Sequence, residues 1–440
     1  MRILEYLRNK VFWCLDAIHG KEVKKHYSLL KKIESNSFDD SELEEYQRER
    51  IAELLQHARN TVPFYKDFSS DSLDDYPVVN KNIIRENYSG FLSDIYSKDD
   101  MITMSTSGST GTPFVSYQNK GKKKSVNAET IYYNGKIGYE MGKRIIYFRS
   151  IVSEVKKSPI QQFMQNIFLL DCYDLSNDGI QSHLRRIEKL TKHSPAMLMG
   201  YASTMDAFAR YFERYGYDSA SKCHIYGIAS GSEMLKDQTR EILARAFCCK
   251  CVSRYANEEN GFLGQDASEN NVFLNNRADY FIEILKMDSD VHAEDGEIGR
   301  IVVTDYYNMA MPMIRYDTGD VGAWQTYRHD NCTRKAIGKF AGRKIDQIFD
   351  CDGRLISAHS ITNMMWNYPV ICQYQFVQKQ NKLYLMKINI KDNDIDEERL
   401  ISDLHRIVGD HAIIELQYVD EIPVLASGKR KYIVNEMSIQ

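Results

Sequence analysis

The chain has 440 residues, 43% of them hydrophobic, and a net charge of −4 at neutral pH. Its length exceeds what one ordinary hydrophobic core accommodates, so we expect two or three folded units, the largest of enzyme size. A dedicated nucleic-acid binder needs a basic surplus to neutralise phosphates, and the slightly acidic balance therefore argues against a nucleic-acid partner.

Nine cysteines in a chain of this length, without a recognisable signal peptide, predict reduced thiols in a cytoplasmic protein. Cys248, Cys249 and Cys251 are close enough in sequence to suggest a metal site. No second pair follows at zinc-finger spacing, so we favour buried structural thiols. No apolar run reaches the ~20 residues of a membrane-spanning helix.

The first sixty residues predict helices. Apolar residues recur at helical spacing from Ile3 to Ile18 among basic ones, which predicts an amphipathic helix packed on the body of the protein. Peripheral membrane association through this helix stays open as the alternative. A long periodic run predicts a helix that starts on a Ser cap at Ser41 and ends before Val62-Pro63, and a short helix is predicted over 80–87.

The stretch from Ser105 to Pro113 consists of Ser, Thr and Gly up to its final proline. Such a loop offers a mobile backbone, bare N–H groups and hydroxyls that can wrap anionic oxygens, although plain turns and linkers share this composition. It lacks the Gly-Lys-Ser/Thr ending of a Walker loop. Its flanks, 101–104 and 114–117, predict a hairpin with the loop as its turn. The lysines at 120–124 predict a solvated turn.

Between residues 183 and 262 strands alternate with helices. The predicted strands are 196–199, 224–229 and 250–255, and the predicted helices are 204–214 and 236–247. This alternation predicts right-handed βαβ crossovers and a parallel sheet. Ligands bind beyond the carboxyl ends of such strands, so the loops 200–203, 230–233 and 255–259 fall on one rim. Each loop taken alone is an ordinary cap or turn.

From Tyr280 onward, strands without helices predict a small antiparallel or barrel-like subdomain. This subdomain leads to a predicted tight turn that exposes Asp320. The Asp320 carboxylate can accept two hydrogen bonds from a ribose diol, but an ordinary surface aspartate fits the local pattern equally well. The composition shifts again near 342–346. Beyond it a hairpin, a helix and a strand predict a compact α+β unit, and its basic tail carries Lys429, which in isolation reads as a solvated lysine.

In their order along the chain, these segments resemble the adenylate-forming superfamily. Within it, the sequence is similar to the phenylacetate:CoA ligase group, which includes CapK-type proteins associated with capsular polysaccharide synthesis. Five motifs carry the resemblance, which extends from about residue 50 to 435. They are the phosphate loop (106–113), a Tyr-x-x-x-Glu element (255–259), a Tyr-x-Thr-Gly-Asp element (316–320), a hinge (342–346) and a lysine loop (427–429).

The resemblance implies an α/β fold. Residues 1–345 form a large, multi-subdomain adenylation domain with parallel βαβ sheets and a barrel-like β subdomain, and residues 346–440 form a small, mobile α+β domain. The implied reaction is ATP- and Mg²⁺-dependent adenylation of a carboxylic acid, pyrophosphate release, and acyl transfer to an acceptor, expected to be CoA, in capsular or surface polysaccharide synthesis. The implied partners are the small-molecule acid and the acceptor, and the implied state is a monomer or homodimer.

The resemblance also assigns roles to residues. Lys429, Glu259 and Thr110 are the implied catalytic residues, and Glu259 is also the implied magnesium ligand, with Glu258 left open. Asp346 is the implied hinge. The implied phosphate-binding residues are Ser107, Gly108, Ser109, Thr110 and Gly111. The implied adenine-binding residues are Ser230, Gly231, Ser232 and Glu233, beside Tyr255. The implied ribose-binding residues are Asp320 and Arg343. For the acid we expect walls at Tyr201, Ala229 and Phe148, which suit an aromatic or apolar acyl group and core packing equally.

The sequence departs from the family pattern at Asp317, where arginine is usual, and at Asn257-Glu258, where a small pair is usual. Two further hypotheses stay open beside adenylation. One is a degenerate adenylate fold that binds nucleotide or acts as a membrane-proximal scaffold without CoA ligase activity. The other is a kinase-like phosphotransferase, which predicts ADP rather than AMP as product and lacks the Walker lysine.

Overall fold

The computed structural model describes most of the chain. The described residues are 3–35, 39–106, 114–149, 158–172, 174–232, 234–267, 272–329, 332–343, 348–353, 355–356, 361, 364–368, 370–390, 395–423 and 431–437. Several predicted site residues lie outside them: Ser107, Gly108, Ser109, Thr110, Gly111, Glu233, Asp346 and Lys429. For Arg343 only the backbone is described.

Helices flank the sheets along the described chain. They are α1 (Ile3–Ile18), α2 (Glu22–Glu34), α3 (Asp40–Thr61), α4 (Lys81–Glu86), α5 (Lys120–Gly135), α6 (Pro159–Gln165), α7 (Asn177–Thr191), α8 (Ala202–Tyr215), α9 (Asp218–Ser221), α10 (Asp237–Phe247) and α11 (Glu397–Val408). None of those that the structure describes is long and apolar enough to cross a membrane.

The described strands fall into one large sheet and three smaller ones. They are β1 (Met101–Thr106), β2 (Phe114–Asn119), β3 (Arg144–Phe148), β4 (Ile167–Leu170), β5 (Ala196–Tyr201), β6 (Ile225–Gly231), β7 (Lys250–Asn257), β8 (Gly261–Asp266), β9 (Phe273–Asn275), β10 (Tyr280–Leu285), β11 (Gly299–Asp305), β12 (Tyr316–His329), β13 (Cys332–Arg343), β14 (Ile348–Phe349), β15 (Leu355–Ile356), β16 (Ile371–Gln380), β17 (Leu383–Ile390), β18 (Ile413–Tyr418) and β19 (Ile433–Asn435).

The large sheet is mixed and has the order β10-β11-β12-β13-β9-β8-β7-β6-β5-β3-β4. Its strands from β4 to β7 are parallel, which confirms the predicted βαβ units. After β7 the chain reverses and the remaining pairs are antiparallel. The antiparallel strands predicted from Tyr280 onward are present, and they are hydrogen-bonded to the rest of this sheet through β9 and β8.

Two parallel strands, β3 and β4, have no counterpart in the sequence prediction. Ile145 and Ile146 of β3 are buried on opposite faces of the sheet. One face is covered by α7, α8 and α10, whose Ile187, Met205 and Leu243 share a core with Ile146. A short, nearly continuous apolar run of this kind is typical of a strand buried on both faces and lacks the alternation that identifies an amphipathic strand.

The third helix starts earlier than the sequence indicated. Its N-cap is Asp39, not Ser41: the Asp39 carboxylate accepts a hydrogen bond from the Glu42 amide at 2.8 Å, and the Glu42 carboxylate accepts one from the Asp39 amide at 3.1 Å. This reciprocal capping box satisfies two N–H groups at the start of the helix, which a serine one residue inside it cannot do.

The basic run predicted as a solvated turn is instead the first turn of α5, with Lys122 fully buried. Its ammonium lies 2.8 Å from Asp305 Oδ2, 3.7 Å from Glu129 Oε1 and 2.9 Å from the Tyr280 hydroxyl. Burial alone would lower the pKa of Lys122, but these carboxylates outweigh it and raise that pKa above its usual value. The prediction was wrong because partners far along the chain satisfy the charge.

The C-terminal elements form their own four-stranded sheet, β18-β17-β16-β19, with α11 contributing Leu400, Leu404 and Val408 to its core. The predicted hairpin, helix and strand are all present. The ammonium of Lys236 in the first unit lies 4.7 Å from the ring centre of Tyr432 and 5.4 Å from that of Tyr374. The predicted domain boundary at 345/346 lies in the undescribed residues 344–347 and stays a prediction.

Candidate active site

The three predicted rim loops lie side by side at the carboxyl ends of the parallel strands. In register, Gly200 and Tyr201 of β5 pair with Ser230 and Gly231 of β6, and Ser230 pairs with Ser253 of β7. Each of these strands ends within a few residues of those positions. The structure therefore brings the three loops together, as expected for ligand contacts at this edge of a parallel sheet.

The Ser/Thr/Gly loop is anchored at the same place. Its residues 107–113 are not described, but its flanks form the predicted hairpin, with Thr106 of β1 opposite Phe114 of β2. The Phe114 ring lies 5.3 Å from the Lys81 ammonium, and the Gln118 side chain donates a hydrogen bond to the Glu259 carbonyl at 3.1 Å. Both ends of the loop are thus next to the segment that carries Glu259.

Glu259 forms a charged cluster with Lys81 and Tyr316. The Lys81 ammonium lies 2.5 Å from Glu259 Oε1, and the Tyr316 hydroxyl donates to the same oxygen at 3.3 Å. Glu259 is 1% exposed, whereas its neighbour Glu258 is exposed. Burial and the Glu259 charge raise the pKa of Tyr316 well above its usual value, so that its hydroxyl stays a donor. Of the two glutamates, Glu259 is the one that faces the cluster.

Sequence reasoning missed Lys81. It is the first residue of α4, directly after Asn80, whose side chain caps the helix. The preceding residue Val79 exchanges backbone hydrogen bonds with Arg315 and Asp317, on either side of Tyr316, at 3.0 and 2.7 Å. This pairing places Lys81 beside Glu259. The local pattern predicted the short helix, but nothing in it indicated which distant segment the helix would meet.

The turn before Glu259 explains one departure from the family pattern. The Asn257 side chain accepts a hydrogen bond from the Asn260 amide at 2.8 Å and so stabilises the turn. Gly261 follows with a φ of +124°, and a Cβ there would lie 2.7 Å from Glu129 Oε2. The Tyr280 hydroxyl lies 2.8 Å from the Asn260 carbonyl. The buried network around Lys122 therefore borders the backbone that holds Glu259.

Tyr255 and Asp320 form a second pair in the site. The Tyr255 hydroxyl donates to Asp320 Oδ2 at 3.0 Å, and its ring packs against Phe340 and Phe273 at centroid distances of 4.9 and 6.2 Å. Strand β12 bulges just before Asp320, and the bulge contains Gly319 with a φ of +78°, a conformation that favours glycine. Asp320 is also the backbone neighbour of Arg343 in the β12–β13 pair. The two predicted ribose residues therefore lie side by side.

Asp317, the second departure from the family pattern, has a structural partner. Its Oδ2 accepts a hydrogen bond from the Arg300 guanidinium at 3.1 Å, and its Oδ1 accepts one from the Gly319 amide at 2.9 Å. It thereby stabilises the bulge in β12 that precedes Asp320. The preceding Arg315 is buried and binds Glu283 at 2.8 Å. The altered motif is thus accommodated by local charge pairs.

The predicted adenine-binding segment contains a buried hydroxyl that is not used by the described residues. Ser230 is fully buried, and its hydroxyl has no hydrogen-bond partner among the described residues. Ser232 has a φ of +67°, which is unusual for a residue with a side chain. A Cβ at Gly231 would lie 3.6 Å from the Arg254 guanidinium. Burial lowers the pKa of Arg254, and its hydrogen bond to Tyr147 offsets this in part. Sequence reasoning did not single out Arg254.

The predicted acid pocket needs one correction. Tyr147, Met199 and Ala229 are neighbours in register, whereas Phe148, one residue later, lies on the opposite face in the core beneath α8. Phe148 therefore cannot line a pocket together with Ala229, because successive residues of a strand point to opposite faces. Tyr147 lies on the Ala229 side instead. Tyr201 is half-buried at the end of β5 on that same side.

The donor set around Glu259 fits a magnesium ion of the kind that binds phosphates. Magnesium is usually held by one or two carboxylates, with waters and substrate phosphates completing its shell. Among the described residues, the three-ligand group is Asp74, Glu283 and His292, which does not include Glu259. Glu259 thus offers one carboxylate at the base of the loop, with Lys81 as a neighbouring cation. The three clustered cysteines are free thiols, but only Cys251 is buried as predicted: Cys249 is half-buried and Cys248 is exposed. Burial raises the pKa of Cys249 to about 12.

Comparisons with known proteins agree with this architecture. Residues 348–436 match the model of the CapK C-terminal domain. The whole chain is similar to protein CapK of Staphylococcus aureus, with 24% identity over 98% of this chain and 96% of CapK. The sequence thus resembles CapK along nearly its whole length, and its C-terminal residues match the CapK domain model. It is also distantly related to phenylacetate-coenzyme A ligase of Pseudomonas putida, with 22% identity over 94% of this chain and 90% of that enzyme.

Solved structures identify the fold. A 2-hydroxyisobutyryl-CoA ligase in a postadenylation state, in complex with R3-HIB-AMP, matches with a TM-score of 0.67 and 14% identity over 89% of both chains. MatB of Rhodopseudomonas palustris with bound ATP matches with a TM-score of 0.53 and 14% identity over 79% of this chain and 70% of MatB. The predicted α/β adenylate-forming fold, with a large mixed sheet and a separate C-terminal domain, is confirmed.

Proposed function

We propose that the protein activates a carboxylic acid as its acyl-AMP, using ATP and Mg²⁺ and releasing pyrophosphate, and then transfers the acyl group to CoA. One observation carries the proposal. The Glu259–Lys81–Tyr316 cluster and the Tyr255–Asp320 pair lie at the two ends of the short segment 316–320, directly at the base of the Ser/Thr/Gly loop. Each group suits one part of a bound nucleotide: the Glu259 carboxylate suits its metal ion, the Lys81 ammonium its phosphates, and the Asp320 carboxylate its ribose diol.

The described residues have distinct tasks in this reaction. Asp320, positioned by the Tyr255 hydroxyl, accepts hydrogen bonds from the ribose, and Lys81 offers positive charge to the phosphates. Glu259 would hold Mg²⁺, which supplies charge stabilisation for the departing pyrophosphate. The acid oxygen attacks the α-phosphorus as the bond to pyrophosphate breaks. Such a reaction depends on positioned donors and charges and needs no protein nucleophile.

The acid and the acceptor are proposed from the surface beside the site and from the related proteins. Tyr147, Tyr201 and Ala229 share one face of the sheet beside the site and suit an aromatic or apolar acyl group. CoA is supported by the relationship to phenylacetate-coenzyme A ligase. The resemblance to CapK-type proteins supports a place in capsular or surface polysaccharide synthesis.

Pyrophosphate release with a panel of aromatic and small organic acids tests the adenylation step. We expect at least one acid to stimulate release, and the trapped acyl-AMP to be visible by mass spectrometry. Nucleotide binding without release for any acid would contradict the proposal and favour a non-catalytic nucleotide-binding protein. ADP as the product would instead indicate phosphotransfer.

Replacement of Tyr255 by phenylalanine is expected to weaken ATP binding about tenfold, because a hydrogen bond to a charged group contributes about 1.5–3 kcal/mol. The ring contacts with Phe340 and Phe273 remain, so the fold is retained. Calorimetric titration with ATP measures the effect. Tyr418→Phe removes an equally hydrogen-bonded hydroxyl in the C-terminal unit and serves as the control. Equal affinities for Tyr255→Phe and the wild type would show that the Tyr255 hydroxyl does not position Asp320 for ribose binding.

Replacement of Lys429 by alanine is expected to slow pyrophosphate release about a hundredfold, since one cation that stabilises transition-state charge is lost. Transfer of the acyl group from supplied acyl-AMP to CoA should be nearly unchanged, because the proposed mobile domain withdraws Lys429 in that step. Lys379→Ala, which breaks a surface ion pair with Glu436, is the matched control. A Lys429→Ala variant that adenylates at the wild-type rate would refute its role.

A further inference from the structure

The first helix is oriented with its apolar residues toward solvent. The residues of α1 that are buried are both acidic, Glu5 and Asp16. Large apolar side chains of α1 are instead between 49% and 80% exposed; they are Ile3, Leu4, Tyr6, Leu7, Val11, Leu15 and Ile18. Sequence reasoning predicted an amphipathic helix packed on the body, but much of its apolar stripe is not used for packing.

The neighbouring helix α6 extends this apolar surface. Ile160, Phe163 and Met164 are each more than half exposed. Arg8 of α1 joins the two helices, because its guanidinium donates to the Phe163 carbonyl at 2.7 Å and to the Met164 carbonyl at 3.1 Å. Ten of the fifteen large apolar residues that are exposed in the described chain lie on these two helices. We call this surface the α1/α6 face.

The acidic residues of α1 are turned inward for a structural reason. The Asp16 carboxylate accepts hydrogen bonds from the Val23 and Lys24 amides, each at 3.0 Å, and so caps the start of α2. Glu5 accepts a hydrogen bond from the Ser194 hydroxyl. Residues 3–21 and 158–166 contain no other acidic residue. The exposed charges within them are therefore positive, at Lys10 and Lys21, with the half-buried Arg8 beside them.

The α1/α6 face lies at the opposite end of the sheet from the candidate site. The Asn9 side chain donates to the Met141 carbonyl at 3.0 Å, just before β3, and the Glu5 partner Ser194 just precedes β5. A Cβ at Gly142 would lie 2.5 Å from the Glu5 carbonyl, so glycine is required for this contact. Contact through the α1/α6 face therefore leaves the carboxyl ends of the strands accessible.

We propose that the α1/α6 face binds the surface of an anionic phospholipid membrane. Apolar side chains of this area insert at the boundary between headgroups and acyl chains, while Lys10, Lys21 and Arg8 meet the negative headgroups. A second copy of the chain fits less well. A two-fold interface would oppose this face to itself, and it would bring the cations of both copies together with no exposed acid within residues 3–21 and 158–166.

Vesicle flotation of the full chain tests the proposal. We expect binding to vesicles of phosphatidylcholine mixed with phosphatidylglycerol, little binding to phosphatidylcholine alone, and weaker binding as salt is raised. Lys10→Gln and Lys21→Gln should each reduce affinity about fivefold. Leu7→Glu and Val11→Glu should each reduce it by about tenfold or more, as should Ile160→Glu on α6. Val291→Glu changes a similarly exposed apolar residue elsewhere and should bind as the wild type does.

The substituted side chains are exposed, so the urea unfolding midpoints of these variants should match that of the wild type. If a variant in α1 fails to fold, Ile160→Glu on α6 still tests membrane binding independently. Absence of binding to both vesicle types would overturn the proposal, and equal binding to both would overturn the anionic preference. A dimer seen by light scattering that Leu7→Glu abolishes would show that a second copy covers the face. None of these readouts depends on acid activation.

Discussion

Glu259→Gln is expected to reduce acid-dependent pyrophosphate release by about 10²- to 10³-fold. The substitution keeps the size of the side chain and an oxygen for the Tyr316 hydroxyl, but it removes the negative charge that faces Lys81 at 2.5 Å. An amide is a much poorer magnesium ligand than a carboxylate. The loss should therefore appear in the rate of adenylation and in the magnesium concentration needed for half-maximal rate.

Glu258→Gln is the matched control, because it makes the same change at the adjacent, exposed residue. We expect it to retain activity within about twofold, as surface substitutions away from a site usually have small effects. A thermal unfolding midpoint close to that of the wild type would show that Glu259→Gln still folds. Full activity of Glu259→Gln together with loss in Glu258→Gln would reverse the assignment.

Lys122→Met is expected to destabilise the protein by about 3–5 kcal/mol, the usual cost of removing one partner of a buried ion pair. The ammonium of Lys122 is enclosed by Asp305, Glu129 and the Tyr280 hydroxyl, and methionine leaves both carboxylates without their cation. Urea unfolding followed by circular dichroism measures the loss. Because this network borders the Asn260 backbone, adenylation should also slow in the folded fraction.

Lys124→Met is the control, since Lys124 lies in the same helix and pairs with Glu22 at the surface. Its effect should stay within about 1 kcal/mol. The two variants should also differ in pH dependence. Burial, only partly offset by Lys122, raises the pKa of Asp305 above its usual value. In Lys122→Met this carboxyl titrates still higher, so stability falls as pH rises from its unfolded pKa through its folded one. The deficit should therefore be larger at pH 8 than at pH 5.

Features that depend on neighbours in sequence were predictable. The alternation of strands and helices over 183–262 gave the parallel part of the sheet, since both periodicities are local properties of the chain. The Tyr-x-Thr-Gly-Asp element predicted a tight turn that exposes a carboxylate. The structure instead places it within β12 as a bulge, where Gly319 has a positive φ and Asp320 is half-buried. The order of the motifs indicated the adenylate-forming fold before any contact was known.

Features that depend on which face of a strand or turn a residue occupies could not be predicted from the sequence. A shift of one residue along a strand moves a side chain to the other side of the sheet, which is why Phe148 was chosen where Tyr147 faces the site. Likewise, the motif assigned the metal to Glu259 but left Glu258 open, and only the turn capped by Asn257 separates an exposed side chain from a buried one.

By itself, then, the sequence determined the class of fold, the order of the elements and the residues at the ends of the parallel strands, because local periodicity and turn chemistry encode these. Only the tertiary structure decided that Lys81 meets Glu259, that Lys122 is buried, and that α1 turns its acids inward. Lys81, Lys122 and Glu5 each contact a partner distant in the chain, and a local pattern carries no information about such a partner.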